Sequence, residues 1–379
     1  MKRKMTRTIR VIIDKEIPFI REVLEPYSSV TYLAGKDISR KVVSDADAII
    51  VRTRTKCSAE LLSGSRVKAI FSTTIGTDHI DAAYCAENGI AVYSAPGCNA
   101  WGVVQYVMTS LYALAERRDI DIDGKVLGII GAGNVGERLA WIATRLGLKV
   151  IRCDPPERER LMNDNNRVSS RELDIDISSI SPADYYDLDE VLRCADIVSV
   201  HLPLNGDTHS FCSEQFFRRL KRGAIFINSS RGEVVDEDAL LRYRSLLGGL
   251  IVDVWRGEPD INTELLCVTD IATPHIAGYS YEGKVNATTM TLNSFGVHFG
   301  IEVLRDFIAA DTILKKDTGL RFDYYESRRT NLARIFASSY NIFGDDAMLR
   351  QNPEQFEYLR ANYAFRREFS DELIDLVSL

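Results

Sequence analysis

The chain has 379 residues, more than one compact core usually takes, so two or three domains are expected. Hydrophobic residues make up 45% and charged residues 27%, the balance of an ordinary globular chain, and no apolar run reaches membrane-spanning length, so no membrane association is expected. A formal net charge of −7 argues against a basic face for a phosphate backbone, so no nucleic acid partner is expected either.

The basic start Met1-Lys2-Arg3-Lys4 is followed only by Val11-Ile12-Ile13 before Asp14 interrupts, too short for the apolar region of a secretion signal; it reads as a first strand. Strand-like runs at Ile9 to Ile13, Ala48 to Arg52, Lys68 to Thr73 and Ala91 to Ser94 alternate with helical patterns, which predicts a small α/β domain. After Pro96-Gly97 a helix is expected from about Asn99 to Arg118, with Val103, Val107, Leu111 and Leu114 on a wide apolar face. It bridges into a second domain, whose strands fall at Lys125 to Ile130, Lys149 to Cys153, Asp196 to Val200, Ala224 to Ile227, Leu250 to Asp253 and Asp270 to Ala272. Nearly continuous apolar strands separated by helices imply a parallel sheet covered on both faces. The polar stretch from Pro155 to Leu188 reads as a surface excursion. From about Phe299 the sequence turns charged, helical and rich in aromatics such as Phe322, Phe336 and Tyr340, as an appended module would. The seven cysteines are scattered and form no C-x-x-C pair; they read as reduced, mostly buried thiols of a cytoplasmic protein, with no metal site among them.

Gly131-Ala132-Gly133-Asn134-Val135-Gly136 follows a predicted strand and opens a predicted helix, the context a dinucleotide-binding fingerprint requires. Gly131 permits the tight turn, Gly133 admits the pyrophosphate to the backbone, and Gly136 allows close helix–strand packing, with the helix N-terminus, Asn134 and Val135 toward the phosphates. Asp154 ends the next strand ~20 residues downstream, the offset at which a carboxylate accepts the ribose hydroxyls and repels a 2′-phosphate, so NAD is expected over NADP. Arg152 and Arg158 beside it weigh the other way. His201-Leu202-Pro203 follows a strand whose end should border the nicotinamide, which puts Leu202 among the cofactor contacts and leaves His201 between contact and packing.

Hydride removal from a secondary alcohol needs a base for the hydroxyl proton, a group that orients the base, and a cation for the carboxylate and developing carbonyl. Three segments just past predicted strand ends supply these types: Asn228-Ser229-Ser230-Arg231-Gly232, Asp253-Val254-Trp255-Arg256-Gly257-Glu258-Pro259 and Thr273-Pro274-His275-Ile276-Ala277-Gly278. The set resembles the D-isomer-specific 2-hydroxy acid dehydrogenases. The resemblance implies that His275 is the acid/base, that Glu258 stabilises its protonated form, and that Arg231 clamps the substrate carboxylate.

Longer strings, Ala95-Pro96-Gly97-Cys98-Asn99-Ala100, Cys153-Asp154-Pro155-Pro156 and His275-Ile276-Ala277-Gly278-Tyr279, resemble the branch of that family acting on 4-phospho-D-erythronate in vitamin B6 synthesis. So does the tail, through Asp345-Asp346-Ala347-Met348-Leu349-Arg350 and Asn362-Tyr363 with Arg366-Arg367-Glu368. That likeness implies a doubly wound Rossmann NAD domain over 101–278, a flavodoxin-like α/β substrate or lid domain over 1–100 with about 279–299, and an α+β dimerisation domain over 300–379. It further implies cofactor contacts at Asp253 and Gly278 and substrate contacts at Arg52, Thr53, Thr74, Gly76 and Tyr279. Thr53 departs from the serine common there. The implied partners are a phosphorylated hydroxy acid and a second copy of the chain, whose Arg366 or Arg367 could reach the substrate phosphate. Arg52, Arg54 and Lys56 recur at every second residue, so in extended chain they would share one face toward that phosphate. Two other readings stay open: a dehydrogenase of another D-2-hydroxy acid, such as 3-phosphoglycerate, and an NAD-sensing binding protein on the same scaffold.

Overall fold

The computed structural model describes residues 8–163, 173–310, 321–323 and 325–369. They form two compact units, one of residues up to Asn99 together with those from Tyr281 to 310, the other from Ala100 to Ser280 together with the described residues after 320.

In the first unit five parallel strands, β1 Ile9–Asp14, β2 Ser28–Leu33, β3 Ala48–Val51, β4 Ala69–Ser72 and β5 Ala91–Tyr93, stand in the order β2-β1-β3-β4-β5. This is the flavodoxin-like order that the resemblance implied. Period-two alternation feeds two cores: Val11, Ile13, Ile50 and Phe71 point to the face covered by the helix Tyr281–Phe299, while Ile12, Ile49, Val51 and Ile70 point to the other. Strand β2 has no counterpart among the predicted strands. It is an edge strand with only Ser28 buried, so Ser28-Ser29-Val30-Thr31-Tyr32-Leu33 carries no continuous apolar run.

In the second unit β6 Val126–Ile130, β7 Lys149–Cys153, β8 Ile197–Val200, β9 Ile225–Asn228, β10 Gly249–Val252 and β11 Ile271–Ala272 stand in the order β11-β10-β9-β8-β6-β7, all parallel. A single bridge from Arg152 of β7 to Tyr185 supplies the start of a further strand beyond β7. The order reverses between β6 and β8, and there the fingerprint loop lies, at the strand ends where doubly wound sheets bind ligands. The excursion is not wholly irregular: it opens with a helix, Pro155–Asn163, capped by Asp154, whose Oδ1 accepts from Glu157 N at 3.1 Å. Residues 164–172 of it lie outside the described residues.

The boundary expected at residue 300 does not separate a self-contained tail. Ile301, Leu304 and Phe307 pack into the first unit's core beside Leu292 and Phe295. The helices Arg328–Ser339 and Ile342–Gln351 pack into the second, where Leu332, Ile335, Phe336 and Ile342 share a core with Val107, Leu111 and Tyr112 of the helix Ala100–Arg118. Each such side chain contributes about 1.5–3 kcal/mol when buried, so the tail stabilises the second unit's core rather than hanging from it. Its described part is helical, with one isolated bridge, Ser280 to Arg366.

Candidate active site

Gly131 turns β6 into the helix Asn134–Arg145 with φ of 91°, and a Cβ there would stand 2.7 Å from the His201 carbonyl oxygen. At Gly136 a Cβ would meet the Gly131 carbonyl oxygen at 2.2 Å, so the helix can approach the strand only without a side chain. Gly133, the N-cap, faces no atom within 4 Å of where a Cβ would be. An open cradle beneath the unsatisfied N–H groups of Asn134 and Val135 fits a pyrophosphate. Asp154 stands beside it with Oδ2 accepting from Ala132 N at 2.9 Å, which ties the acid to the fingerprint turn. Arg152 is drawn to Glu137 at 3.1 Å and Arg158 to Asp187 at 3.1 Å, so both arginines that could favour a 2′-phosphate are engaged elsewhere. His201 shares a hydrogen bond of 2.9 Å with Ser199 Oγ, and desolvation pushes its imidazole down to about 3, so the ring is neutral at physiological pH. Leu202 follows with its methyl carbon Cδ2 against Gly131.

The three chemical segments converge past the ends of β9, β10 and β11. Asn228 holds the first, its Oδ1 accepting from Ser230 N and Oγ and its Nδ2 donating to Arg231 O at 3.0 Å. A Cβ on Gly232 would stand 2.0 Å from the Trp255 carbonyl carbon, and only that missing side chain lets the Arg231 loop lie on the Glu258 loop. Arg231 is half-buried, with Nη1 on its neighbour's Ser230 O at 2.8 Å. Trp255, fully buried, donates Nε1–H to Thr273 O at 2.9 Å and joins the second loop to the third.

His275 Nδ1 and Glu258 Oε2 lie 2.7 Å apart, and Glu258 Oε1 accepts from Trp255 N at 3.0 Å. Burial alone would raise the Glu258 carboxyl. The charge and hydrogen bond of His275, then the charge of Arg360 and the Trp255 amide, outweigh it and hold the carboxyl below its ordinary range. His275 itself sits at φ of 57°, a left-handed conformation held by its backbone N–H on Asp253 O at 2.7 Å.

Asp253 is buried and occupied: its carboxylate accepts from Thr273 Oγ1, Ile276 N and Ala277 N at 2.7, 2.8 and 2.9 Å. Resemblance assigned this residue to the cofactor; its visible work is to brace the His275 loop, with at most one acceptor site left over. Gly278 occupies the turn closed by Tyr279 N on Ile276 O at 2.9 Å. Tyr279 receives Arg360 Nε on its hydroxyl at 3.1 Å.

Arg52, Thr53, Thr74 and Gly76 belong to the first unit, at the carboxyl ends of β3 and β4. Arg52 is gripped by the buried Asp14, with Nε 2.9 Å from Oδ2, and Thr53 is exposed. Thr74 Oγ1 bonds Ser72 Oγ at 2.7 Å and Gly76 O at 3.1 Å. The chain from Arg52 is not extended: Thr55 N returns to Arg52 O at 3.2 Å in a turn that buries Thr55, so the alternation of Arg52, Arg54 and Lys56 does not place them on one strand face.

The tail corrects a second expectation. Arg366 is buried in its own chain, where its guanidinium donates to Gly102 O, Ile276 O and Ala277 O and to Gln105 Oε1 and lies over the Tyr340 ring. It braces the residues after His275 and has no donor to send to a partner's substrate. Sequence reading also missed Arg360 and Asp346, the latter accepting from Ala272 N at 2.8 Å. Arg360 carries no local motif, and Asp346 reads only as part of the tail string. Among the described residues no group of three or more His, Cys, Asp or Glu side chains is placed to hold a metal ion, and no helix is long and apolar enough to cross a membrane.

The chain is similar to known proteins. The family model described as D-isomer specific 2-hydroxyacid dehydrogenase, NAD binding domain, matches residues 105–277, and one described as a domain of unknown function (DUF3410) matches residues 323–377. The chain is similar to erythronate-4-phosphate dehydrogenase of Bacteroides fragilis, with 39% identity over 95% of this chain and 97% of that one. To the Escherichia coli protein of that name it is 38% identical, over 96% of this chain and 93% of that one. Among solved structures it is similar to D-lactate dehydrogenase from Aquifex aeolicus complexed with NAD and lactic acid (TM-score 0.63, 26% identity, 80% of this chain and all of that one). The fold also matches NAD+-bound 3-phosphoglycerate dehydrogenase from Entamoeba histolytica (TM-score 0.62, 24% identity, 79% of this chain and 98% of that one). Sustained identity to such relatives over nearly their whole length, on a site built to hold NAD, places this chain in the erythronate-4-phosphate dehydrogenase family of NAD-dependent D-2-hydroxyacid dehydrogenases.

Proposed function

We propose that this chain oxidises 4-phospho-D-erythronate to 2-oxo-3-hydroxy-4-phosphobutanoate, a step of pyridoxal 5′-phosphate (vitamin B6) synthesis. The observation that carries the chemistry is the His275–Glu258 contact of 2.7 Å on loops packed against the Arg231 loop. His275 takes the proton of the C2 hydroxyl, Glu258 holds the ring and balances the charge it gains, and the Arg231 fork binds the carboxylate and polarises the C2 oxygen. Bound NAD supplies the acceptor for the hydride that leaves C2. Arg52, Thr53, Thr74, Gly76 and Tyr279 are assigned to the substrate, and Asp154, Leu202, Asp253 and Gly278 to the cofactor.

The test is NADH formation across D-2-hydroxy acids with and without a terminal phosphate, each with NAD and with NADP. The expected result is a kcat/KM for 4-phosphoerythronate with NAD at least about 100-fold above that for erythronate, the weight of a charge-assisted phosphate contact of roughly 3 kcal/mol. Equal rates on the two acids would overturn the substrate assignment, and partner capture without turnover would favour a binding protein.

We also propose that the enzyme is a cytoplasmic homodimer joined through its tail. Seven scattered cysteines with no C-x-x-C pair support a reducing compartment. Exposed Phe343, Met348, Tyr358 and Phe365 support an interface, since such side chains are enriched where proteins meet. Sedimentation should give twice the chain mass, and Met348→Lys with Tyr358→Lys should give monomers; a monomeric wild type would sink the proposal.

A further inference from the structure

Helix Phe356–Ala361 carries one residue into the catalytic pair. Arg360 Nη1 stands 3.5 Å from Glu258 Oε2, the same oxygen that His275 Nδ1 meets at 2.7 Å, while Arg360 Nε donates to the Tyr279 hydroxyl at 3.1 Å. Arg360 and Glu258 side chains are each 17% exposed, so water screens the pair only partly. The contact comes from more than a hundred residues downstream of Glu258.

We propose that Arg360 is a positioning residue of the active site, which shares the Glu258 carboxylate with His275 and thereby sets the pH range in which the pair accepts a proton. The inference rests on the dehydrogenase reading above. A carboxylate divided between two cations holds a proton on the imidazole less firmly than one reserved for the ring, so Arg360 favours the neutral ring that oxidation needs. Among the described residues, the other charged and titratable groups on the elements packed around the pair are Asp253 beneath the loop, Arg231 and Glu237 on segments packed against Trp255 and Arg256, Tyr279, and Arg366 with Asp345 behind it. Of these only Tyr279 is bonded to Arg360, through its hydroxyl, so the lysine variant, which keeps the charge, separates the loss of charge from the loss of that bond. Through Arg360 the tail module contributes to the chemistry of its own chain, beyond any part in assembly.

The experiment compares wild type, Arg360→Gln and Arg360→Lys in the full chain. In Arg360→Gln the acid limb of the kcat/KM profile for oxidation should move up by about one pH unit, at the low end of what one neighbouring charge does because the site is partly screened. On the acid side this is about a tenfold loss, whereas the alkaline plateau stays within about threefold and KM for NAD is unchanged. The alkaline limb of the reverse reduction should move up with it, and Arg360→Lys should return both limbs toward wild type. A uniform loss at every pH, or a lysine variant that behaves like glutamine, would overturn the proposal. An NMR titration of the His275 ring is read in parallel and needs no substrate: its midpoint should be higher in Arg360→Gln than in wild type, and equal midpoints would refute the inference. Wild type that turns over no phosphorylated hydroxy acid would instead refute the functional reading, and the titration would still decide the role of Arg360.

Discussion

Replacing His275 with Asn should lower kcat for oxidation by about 10²–10⁴-fold while leaving the Kd for NAD within about twofold, because it removes proton transfer and nothing that holds the dinucleotide. Asparagine is the informative substitute. His275 sits at φ of 57°, and asparagine tolerates that conformation better than other non-glycine residues, so the backbone bond to Asp253 O survives. Its amide can still meet Glu258 Oε2 as a donor, so loss of activity reports on the proton and not on a collapsed loop. Calorimetric titration with NAD and steady-state rates on 4-phosphoerythronate are the two measurements. Substantial kcat in this variant would remove His275 from the acid/base role.

Arg366→Ala should destabilise the second unit by roughly 3–5 kcal/mol and cost activity as well, since several buried acceptors lose their donors at once and each unsatisfied group costs about 1–3 kcal/mol. Those acceptors are the carbonyls of Gly102, Ile276 and Ala277 and the Gln105 side chain, all served by one guanidinium. Arg366→Lys should recover little of this, because a single ammonium cannot reproduce a planar fork facing four oxygens. Urea unfolding and kcat at saturating substrate are read together. If Arg366→Ala instead keeps its stability and kcat and only raises KM for the phosphorylated acid, the arginine is a substrate cation, as the tail motif by itself suggests, and the brace described here is wrong.

These two experiments separate what was legible in the sequence from what was not. The three segments that carry His275, Glu258 and Arg231 could be found from residue type and position because each follows a strand whose apolar run marks it, and strand ends in a parallel sheet converge; the choice of those three residues within them came from family resemblance. The fingerprint glycines were legible for a related reason: Gly131 and Gly136 are demanded by the local turn and by one helix's approach to one strand. Strand β2 was not, because an edge strand needs no alternating core face, and the turn after Arg52 was not, because an alternating charge pattern fits a turn as well as a strand.

The sequence by itself determined every strand of the two sheets except β2, the fingerprint turn and the segments that carry His275, Glu258 and Arg231, since all of these depend on neighbours within a few residues. Only the tertiary structure decided that Asp14 grips Arg52, that the Asp253 carboxylate is filled by the loop it supports, and that the tail enters the core with Phe336 and reaches the Glu258 carboxylate with Arg360. Such pairings join residues tens to hundreds of positions apart. A charged side chain has the same local signature whether it ends in water or on a buried carboxylate, and the packing of the elements that carry it decides which.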